Sequence, residues 1–495
     1  MKRLLFLTFI TAFAFSSHAQ YTTPNTGITW NLSELVANAP QIISYSDGIY
    51  TLSQNLTIAS TDSFVINENA TIKIDPDVQI FVEGNFTADA NEILITATNI
   101  AAPYNTIRFE ENSSGFIRNT TIDYGKGIRV ATGNFEMQNS SMSYHVSGTT
   151  GSGTLNFSAG KPIINNSRFT FNAVPAFSSG ANQVAAPVFT NNYLEGNNTA
   201  NANRPQINMS ATGNDTIKII GNIIKGNREL ILTGGISVTS FFGDPIKVLI
   251  ENNTITDNRY GITIGGGNAV GYIRGNLIED NNTQNLPNLG GSGISINATG
   301  TNTMNLIASQ NQIRRNLWGI TMIGTAKINL GNDNLELGDL NEGGNVFSEN
   351  ENTGQTYALF NNTALPILAM NNCWTEGVSP TAQSVENVIS HQVDNPALGL
   401  VTFMPFSDCL LGTTAFENRK ISFYPNPNSG LISIEMKENG TVEIFNLSGQ
   451  MLSKFELKSG TNRIAFDLPQ GIYLMKTTTA SDNLPTRSSG NNLGT

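Results

Sequence analysis

Along the middle of the chain, single apolar residues recur between polar neighbours in a fixed hexapeptide frame. The frame is Asn, any residue, an apolar residue, two more residues, then Asn. It reads NYLEGN from Asn192, NIIKGN from Asn222, NTITDN from Asn253, NLIEDN from Asn276, NQIRRN from Asn311 and NVFSEN from Asn345. SRFTFN from Ser167 is the same unit with Ser first, and successive starts lie 23 to 35 residues apart. TTIDYG from Thr120 and SMSYHV around Met142 extend the register upstream, where His145 takes the place of the closing Asn. A second unit, Gly-Ile-x-apolar, follows many of these: GIRV from Gly127, GISV from Gly235, GITI from Gly261, GISI from Gly293 and GITM from Gly319. A third precedes the Asn unit, as in IKII at Ile217, VLI at Val248 and GYI at Gly271. One period therefore predicts three short strands separated by turns. Side chains of a strand alternate faces, so x-apolar-x sends one side chain inward.

A lone strand of this length cannot bury its apolar face, whereas stacked coils can. Each coil then pairs with the next at about 4.8 Å, and about eleven coils are expected. In such a stack the closing asparagines Asn197, Asn227, Asn258, Asn281, Asn316 and Asn350 form a structural ladder. Each is expected to take the left-handed conformation of a sharp bend while its amide bonds the coils above and below.

These units resemble the right-handed parallel β-helix proteins of the pectate-lyase-like superfamily, over residues 50–412. The opening runs NLTI at Asn55, FVIN at Phe64 and TIKIDPDVQIFVEGNFTA from Thr71 resemble the first coils of such proteins. Residues 20–49 are expected to cap the open end of the stack. A short helix, Trp30 to Asn38 with Ser33 as N-cap, would present Trp30, Leu32, Leu35 and Val36 to it. The expected class is all-β, with three short strands per coil.

Composition supports this. Asparagine supplies 65 of 495 residues, and Asn and Gly are poor helix formers. Hydrophobic residues still reach 39%, too many for an unfolded chain. The net charge of −11 and the lack of a basic stripe argue against nucleic acid as a partner. Residues 1–19 read as a secretory signal: Lys2 and Arg3, an apolar run from Leu4 to Phe15, then Ser17-His18-Ala19. That run is too short to span a bilayer, and no other long apolar run follows, so no transmembrane segment is expected. In an exported protein the two cysteines, Cys373 and Cys409, suggest a disulfide.

Residues 416–476 change character. Short strands with turns at Asn439-Gly440, Ser448-Gly449 and Ser459-Gly460 suggest a small antiparallel β-sandwich. YPNP at Tyr424, IFNLSGQ and GIYLMK at Gly471 resemble the C-terminal sorting domain of the type IX secretion system of Bacteroidetes. The resemblance implies secretion machinery as a partner, and a secreted or outer-surface location. Residues 477–495 lack the Lys-rich final strand usual in that family and read as a disordered tail.

Stacking would align the residue after each central apolar one into an outward row: Ser143, Thr170, Glu195, Lys225, Thr256, Glu279, Arg314 and Ser348. Glu195, Lys225, Glu279 and Arg314, with His145, are the candidate catalytic residues. Enzymes on the resembled fold use a Lys or Arg base against acidic polysaccharide, or paired carboxylates as acid and base. The competing reading is an alternating charged stripe that pairs across coils. Paired aspartates with Gly-His-Gly are absent, as is Asp-Pro-His-Asp. Asp333, Glu336, Asp339 and Glu342, in a Gly/Asn-rich loop, offer oxygen ligands to calcium, with a solvated loop as the alternative. Three function classes follow: a protein that binds glycans or mediates adhesion, a polysaccharide lyase or glycoside hydrolase, and a structural stalk.

Overall fold

The computed structural model describes residues 20–148, 153–300, 304–333 and 341–409, and, in the C-terminal unit, 423–424, 430–436, 439–446, 450–469, 471, 473–479 and 491–493. Residues 1–19, and with them the expected signal, lie outside the described residues. The chain divides into two compact units, 1–411 and 412–495.

The first unit is a parallel β-helix. Within a coil, a strand of the first sheet such as Gly234–Thr239 is followed by one of the second, Ile246–Glu251, and one of the third, Thr254–Thr256. Each pairs in parallel with its equivalent one coil on. Among the described residues the first sheet counts 14 strands, from Gln20–Thr22 to Ile389–Ser390. That exceeds the expected eleven or so coils, because the coils upstream of Thr120 lack the asparagine frame by which coils were recognised. The expected cap also contributes strands: Gln20–Thr22 pairs with Asn55–Ile58, and Thr29–Trp30 with Ser63–Ile66. The helix runs Leu32–Asn38, and its N-cap is Asn31 rather than Ser33. Asn31 accepts from the Glu34 N–H while the Glu34 carboxylate accepts from the Asn31 N–H. This reciprocal pair satisfies two otherwise orphaned helical donors.

Identical positions stack along the interior. In the third sheet Ile122, Met142, Phe169, Leu194, Ile224, Ile255, Ile278, Ile313 and Phe347 lie in one register, all fully buried. The early coils are filled by rings, Phe64, Phe86, Phe109 and Phe135 meeting edge to face at 4.9 to 5.9 Å. Gly115 is required beside them, since a Cβ there would lie 2.5 Å from the Phe109 ring. Later coils change to isoleucine.

Two polar ladders run through this dry core, one at each end of the third-sheet strand. In the first, backbone N–H groups donate to the side-chain oxygen one coil on: Thr120 to Ser140, Ser140 to Ser167, Ser167 to Asn192. The series continues through Asn222, Asn253, Asn276, Asn311 and Asn345 to Asn372, at 2.9–3.2 Å. Each Asn Nδ2 also donates backward, as Asn253 does to the Ile219 carbonyl at 2.8 Å. The second ladder passes from His145 through Asn172, Asn197, Gln206, Asn258, Asn281 and Asn316 to Asn350.

Two expectations about the asparagines are corrected. Asn227 is not in the ladder: it is half-buried and caps its own turn by accepting from the Glu229 N–H. The Gln206 side chain reaches in from the first sheet and fills that rung. The left-handed residue is also not the ladder Asn but the one before it. Asn191, Asn252 and Asn371 precede one ladder, and Asp257, Asp280, Arg315 and Glu349 the other, with φ of 50–60°. The division is physical: the preceding residue makes the corner, which frees the ladder residue to send its amide inward.

Other groups pin the ends. Asp62, fully buried, accepts from the backbone N–H groups of Asn25, Thr26, Gly27 and Ile28. Burial alone would raise its pKa, but these donors and the Thr23 hydroxyl lower it to about 2. A disulfide joins Cys373 to Cys409 near the other end.

Among its described residues the second unit holds two antiparallel sheets. One orders Phe423–Tyr424, Leu431–Met436 and Gly460–Ala465; the other orders Met451–Leu457, Gly440–Phe445, Tyr473–Thr479 and Asn491–Leu493. Ile432, Ile434, Met436, Val442, Leu457, Ile464 and Met475 form its core. The tail expected to be disordered therefore contributes strand: one strand runs to Thr479, and Asn491–Leu493 pairs with Tyr473–Met475. The open edge of the penultimate strand supplies the hydrogen-bonding groups.

Asn253→Ala would remove the acceptor of Asn222 and the donor to Ile219. A buried polar group left unpaired costs about 1–3 kcal/mol, so a loss of about 2–5 kcal/mol is expected in denaturant unfolding. Wild-type stability in that variant would show that the ladder is not a support. For Asp62 the folded pKa lies below the unfolded one. Its contribution, about 2 kcal/mol, is present above pH 4 and lost as pH falls towards 2. Acid titration of Asp62→Asn should lack that component.

Candidate functional site

The outward row of the third sheet exists as a register: Asp123, Ser143, Thr170, Glu195, Lys225, Thr256, Glu279, Arg314 and Ser348 stand on successive strands. From Glu195 onward its charged members are paired. Glu195 accepts from Lys225 Nζ at 3.1 Å and from the Tyr193 hydroxyl at 2.9 Å, with Arg168 at 3.4 Å. Arg168 also lies over the Tyr193 ring, 4.1 Å from its centre. Partial burial would raise the Glu195 pKa, but Lys225, Tyr193 and Arg168 bring it below the usual carboxylate range. The same contact raises that of Lys225.

Glu279 and Arg314 stand on neighbouring strands but do not pair with each other. Glu279 accepts from Arg315 at 2.6 Å, and Arg315 also grips Asp280 at 2.8 Å. Arg314 forms a two-pronged pair with Glu376, both contacts 2.7 Å, which raises its pKa. Glu376 follows Trp374 in an irregular segment, where strand periodicity gave no signal for it.

His145 is not at the surface. It is fully buried at the head of the second ladder. Nδ1 accepts from the Gly127 N–H at 3.2 Å, so Nε2 carries the proton and donates to the Ile122 carbonyl at 2.9 Å. Burial lowers its pKa to about 4, so the ring is neutral at pH 7. Both nitrogens are occupied by backbone, and neither is free to move a proton for a substrate.

Glu336 and Asp339 lie outside the described residues. Asp333 and Glu342 are exposed. Among the described residues the one group with metal-ligating geometry is Glu386, His391 and Asp394. His391 is buried. Its Nδ1 accepts from the Val401 N–H at 2.9 Å, so Nε2 is again protonated and faces Glu386 at 2.8 Å. A metal-bound imidazole needs that lone pair and normally donates from its other nitrogen. The cluster therefore reads as a hydrogen-bonded brace.

Beside the first rungs of the row stands a feature the sequence reading passed over. At the corner position, where later coils carry glycine or a charged residue, three successive coils carry Tyr124, Tyr144 and Phe171, with φ of 54–58°. Tyr124 stacks on Tyr144 at 5.2 Å and 12°, and Tyr144 on Phe171 at 6.2 Å and 20°. Tyr144 is 47% exposed and Phe171 40%. The next coil has Gly196, where a Cβ would come within 3.0 Å of the Phe171 ring. Flanking this strip on the sheet are Asp123, the mutually bonded hydroxyls of Ser143 and Thr170 (2.8 Å), and Glu195. Burial raises the Asp123 pKa to about 6, opposed by the Ser143 backbone. The motif TTIDYG held the signal, since its Asp and Tyr fall at the row and corner positions.

Several outward positions of the first sheet are covered, although Arg108 and Arg129 remain partly exposed. Its outward residues Asn156, Ser178, Ser237 and Thr321 are buried, and Trp318 Nε1 fastens an inserted segment there by donating to the Pro287 carbonyl at 3.0 Å.

Residues 422–487 match the family model described as a secretion system C-terminal sorting domain. Among solved structures the chain is similar to the periplasmic alginate epimerase AlgG, at 12% identity and a TM-score of 0.36, over 76% of this chain and 83% of that one. Two variants of that protein match at 11% and 13% identity, TM-scores 0.35 and 0.33, over 77% of this chain and 83% of theirs. No curated protein matches. The chain thus carries a type IX secretion sorting domain and is an exported protein, secreted or held at the outer cell surface. No described helix is long and apolar enough to cross a membrane.

His145→Asn should keep much of the stability, because Asn fills every later rung but one. His145→Ala leaves the Ile122 carbonyl and the Gly127 N–H unpaired, at about 1–3 kcal/mol each. The depressed histidine pKa stabilises the fold fully above pH 6.5, and that stability falls by about 3 kcal/mol as pH drops to 4. Denaturant midpoints at pH 7 and 4.5 check both statements; an unchanged pH response in His145→Asn would reject the assignment.

Proposed function

We propose that this exported β-helix protein binds a polysaccharide or cell-surface glycan along the third sheet, at the strip formed by Tyr124, Tyr144 and Phe171. The carrying observation is the stack itself: three aromatic rings, two of them substantially exposed, on consecutive coils. A left-handed backbone disfavours residues with a Cβ by about 1–2 kcal/mol each, and glycine would avoid that cost. Rings kept there at such a cost, next to the partly exposed Asp123, Ser143 and Glu195, give an apolar platform with hydrogen-bonding groups at its side. That combination suits the faces and hydroxyls of sugar rings. A scattered exposed ring is ordinary, whereas a contiguous strip marks an interaction site. Adhesion through such a strip is the same reading applied to a cell-borne glycan.

The enzymatic alternative, a lyase or hydrolase of acidic polysaccharide, has less support. A lysine base must be neutral to act, and Glu195 holds Lys225 protonated. Asp123 and Glu195 are three rungs apart, about 14 Å at ~4.8 Å per rung, beyond the ~9.5 Å limit for cooperating glycosidase carboxylates. A plain structural stalk leaves the aromatic strip without a role.

Retention of the full chain in affinity gels cast with a panel of neutral and acidic polysaccharides tests the proposal. Tyr144→Ala and Phe171→Ala should each weaken binding of the retained polymer at least tenfold, about 1.4 kcal/mol, with an unchanged circular dichroism spectrum. Undiminished retention in both variants would sink the reading. Release of shortened or unsaturated products from any polymer would instead favour the enzymatic alternative.

A further inference from the structure

The outer face of the second sheet carries a separate groove. It crosses the strands Ile217–Ile220, Ile246–Glu251, Ala269–Arg274, Asn305–Ser309 and Asn329–Gly331. These are consecutive rungs, so the track spans about 19 Å at ~4.8 Å each. Its floor is apolar, made by Leu249, Val270 and Ile307, and Tyr272 stands in it at 45% exposure. The same track continues past Asn305 to Lys327 and Leu368.

The unpaired charge on this track has one sign. Lys218, Lys247 and Arg274 line the first part, and exposed Lys327 the second. Lys247 Nζ donates to the Asn214 carbonyl at 3.0 Å, a neutral partner. Among the described residues, Lys218, Lys247 and Lys327 have no carboxylate within ion-pairing distance. Arg274 pairs with Glu251 at 2.9 Å and lies over the Tyr272 ring at 5.5 Å. Asp215, next to the groove residue Thr216, is held by Lys161 at 2.7 Å. Elsewhere on the helix, cations of the third sheet are matched by acids. In a chain of net charge −11, three lysines left unmatched along one apolar track are a departure from that pattern.

We propose that this groove binds a linear anionic polysaccharide, its negative groups on Lys218, Lys247 and Lys327 and a sugar face on Tyr272. A linear polymer fits because the cations recur along the stack axis rather than around a closed cavity. Ammonium groups act as point charges and need no fixed fork geometry, which suits irregularly spaced carboxylates or sulfates. Exposed charges at this spacing are weakened by salt, with a Debye length of about 8 Å at physiological ionic strength. The site is on a different sheet from the aromatic strip and does not depend on it.

The test uses the full chain with polygalacturonate, dextran sulfate, unmodified dextran and a duplex oligonucleotide as probes, titrated at low and high salt. Polygalacturonate or dextran sulfate should bind at low salt, weaken at least tenfold at high salt, and exceed dextran. Lys218→Glu with Lys247→Glu should abolish the salt-sensitive part of that binding, and Tyr272→Ala should weaken it several-fold. All of these side chains are solvent-facing, and circular dichroism checks that each variant is folded. Full binding in the double variant would overturn the proposal. So would no binding of either anionic polymer by the wild type, or lysine-dependent binding of the oligonucleotide alone. Loss of binding on Tyr144→Ala, with the lysine variant unaffected, would place anionic glycan on the aromatic strip and reject the groove.

Discussion

The structure depends on the inward-facing amide of the ladder residue. A coil that bends sharply at each end of its third-sheet strand brings backbone N–H and C=O groups to corners of a dry core, where the sheet ladders no longer serve them. An unpaired buried group of this kind costs as much as several favourable contacts supply. The asparagine amide settles this twice per coil, since Oδ1 accepts from the previous coil's N–H while Nδ2 donates to its carbonyl and to the next amide. Because each bond reaches an adjacent coil, the polar ladder and the apolar stack enforce the same register. A slip of one residue would break both.

This constraint explains the surface as well. With the ladder residue committed inward, the residue before it must take the corner in a left-handed conformation and faces solvent. That position is free of packing demands, and the chain uses it in three ways. It carries rings at Tyr124, Tyr144 and Phe171, glycine at Gly196, and charged residues from Asp257 to Glu349. The charged stretch interlocks with the neighbouring row through Arg315, Glu279 and Asp280. The aromatic stretch forms a strip. A scaffold that fixes its interior so tightly can vary its corners and outer sheet faces at little cost to the fold.

His145 and Gln206 show how the ladder accepts substitutes. An imidazole with Nδ1 accepting and Nε2 donating spans the gap between two backbone groups as an amide does. Gln206 does so from another sheet, its longer side chain replacing a rung that Asn227 leaves vacant. The requirement is for one acceptor and one donor at a fixed depth, and the residue that supplies them is secondary.

The repeat, the strand count per coil, the stacking and the inward apolar position were legible in the sequence, because periodicity is a local property and the buried residue must recur at it. So were the sorting domain, through YPNP and GIYLMK, and the alignment of Glu195 with Lys225. Tertiary structure alone decided the rest. It decided that the corner residue, not the asparagine, takes positive φ. It set Glu376 against Arg314 across 62 positions, and Gln206 against Asn258 across 52. Among the described residues it left Lys218 and Lys247 without acids. Those outcomes follow from which side chains of different coils come within reach, and variable loop lengths between coils erase that information from the linear order. The sequence by itself therefore determined the scaffold, which repeats, while the faces that can bind were decided only by the stack, which brings non-repeating residues together.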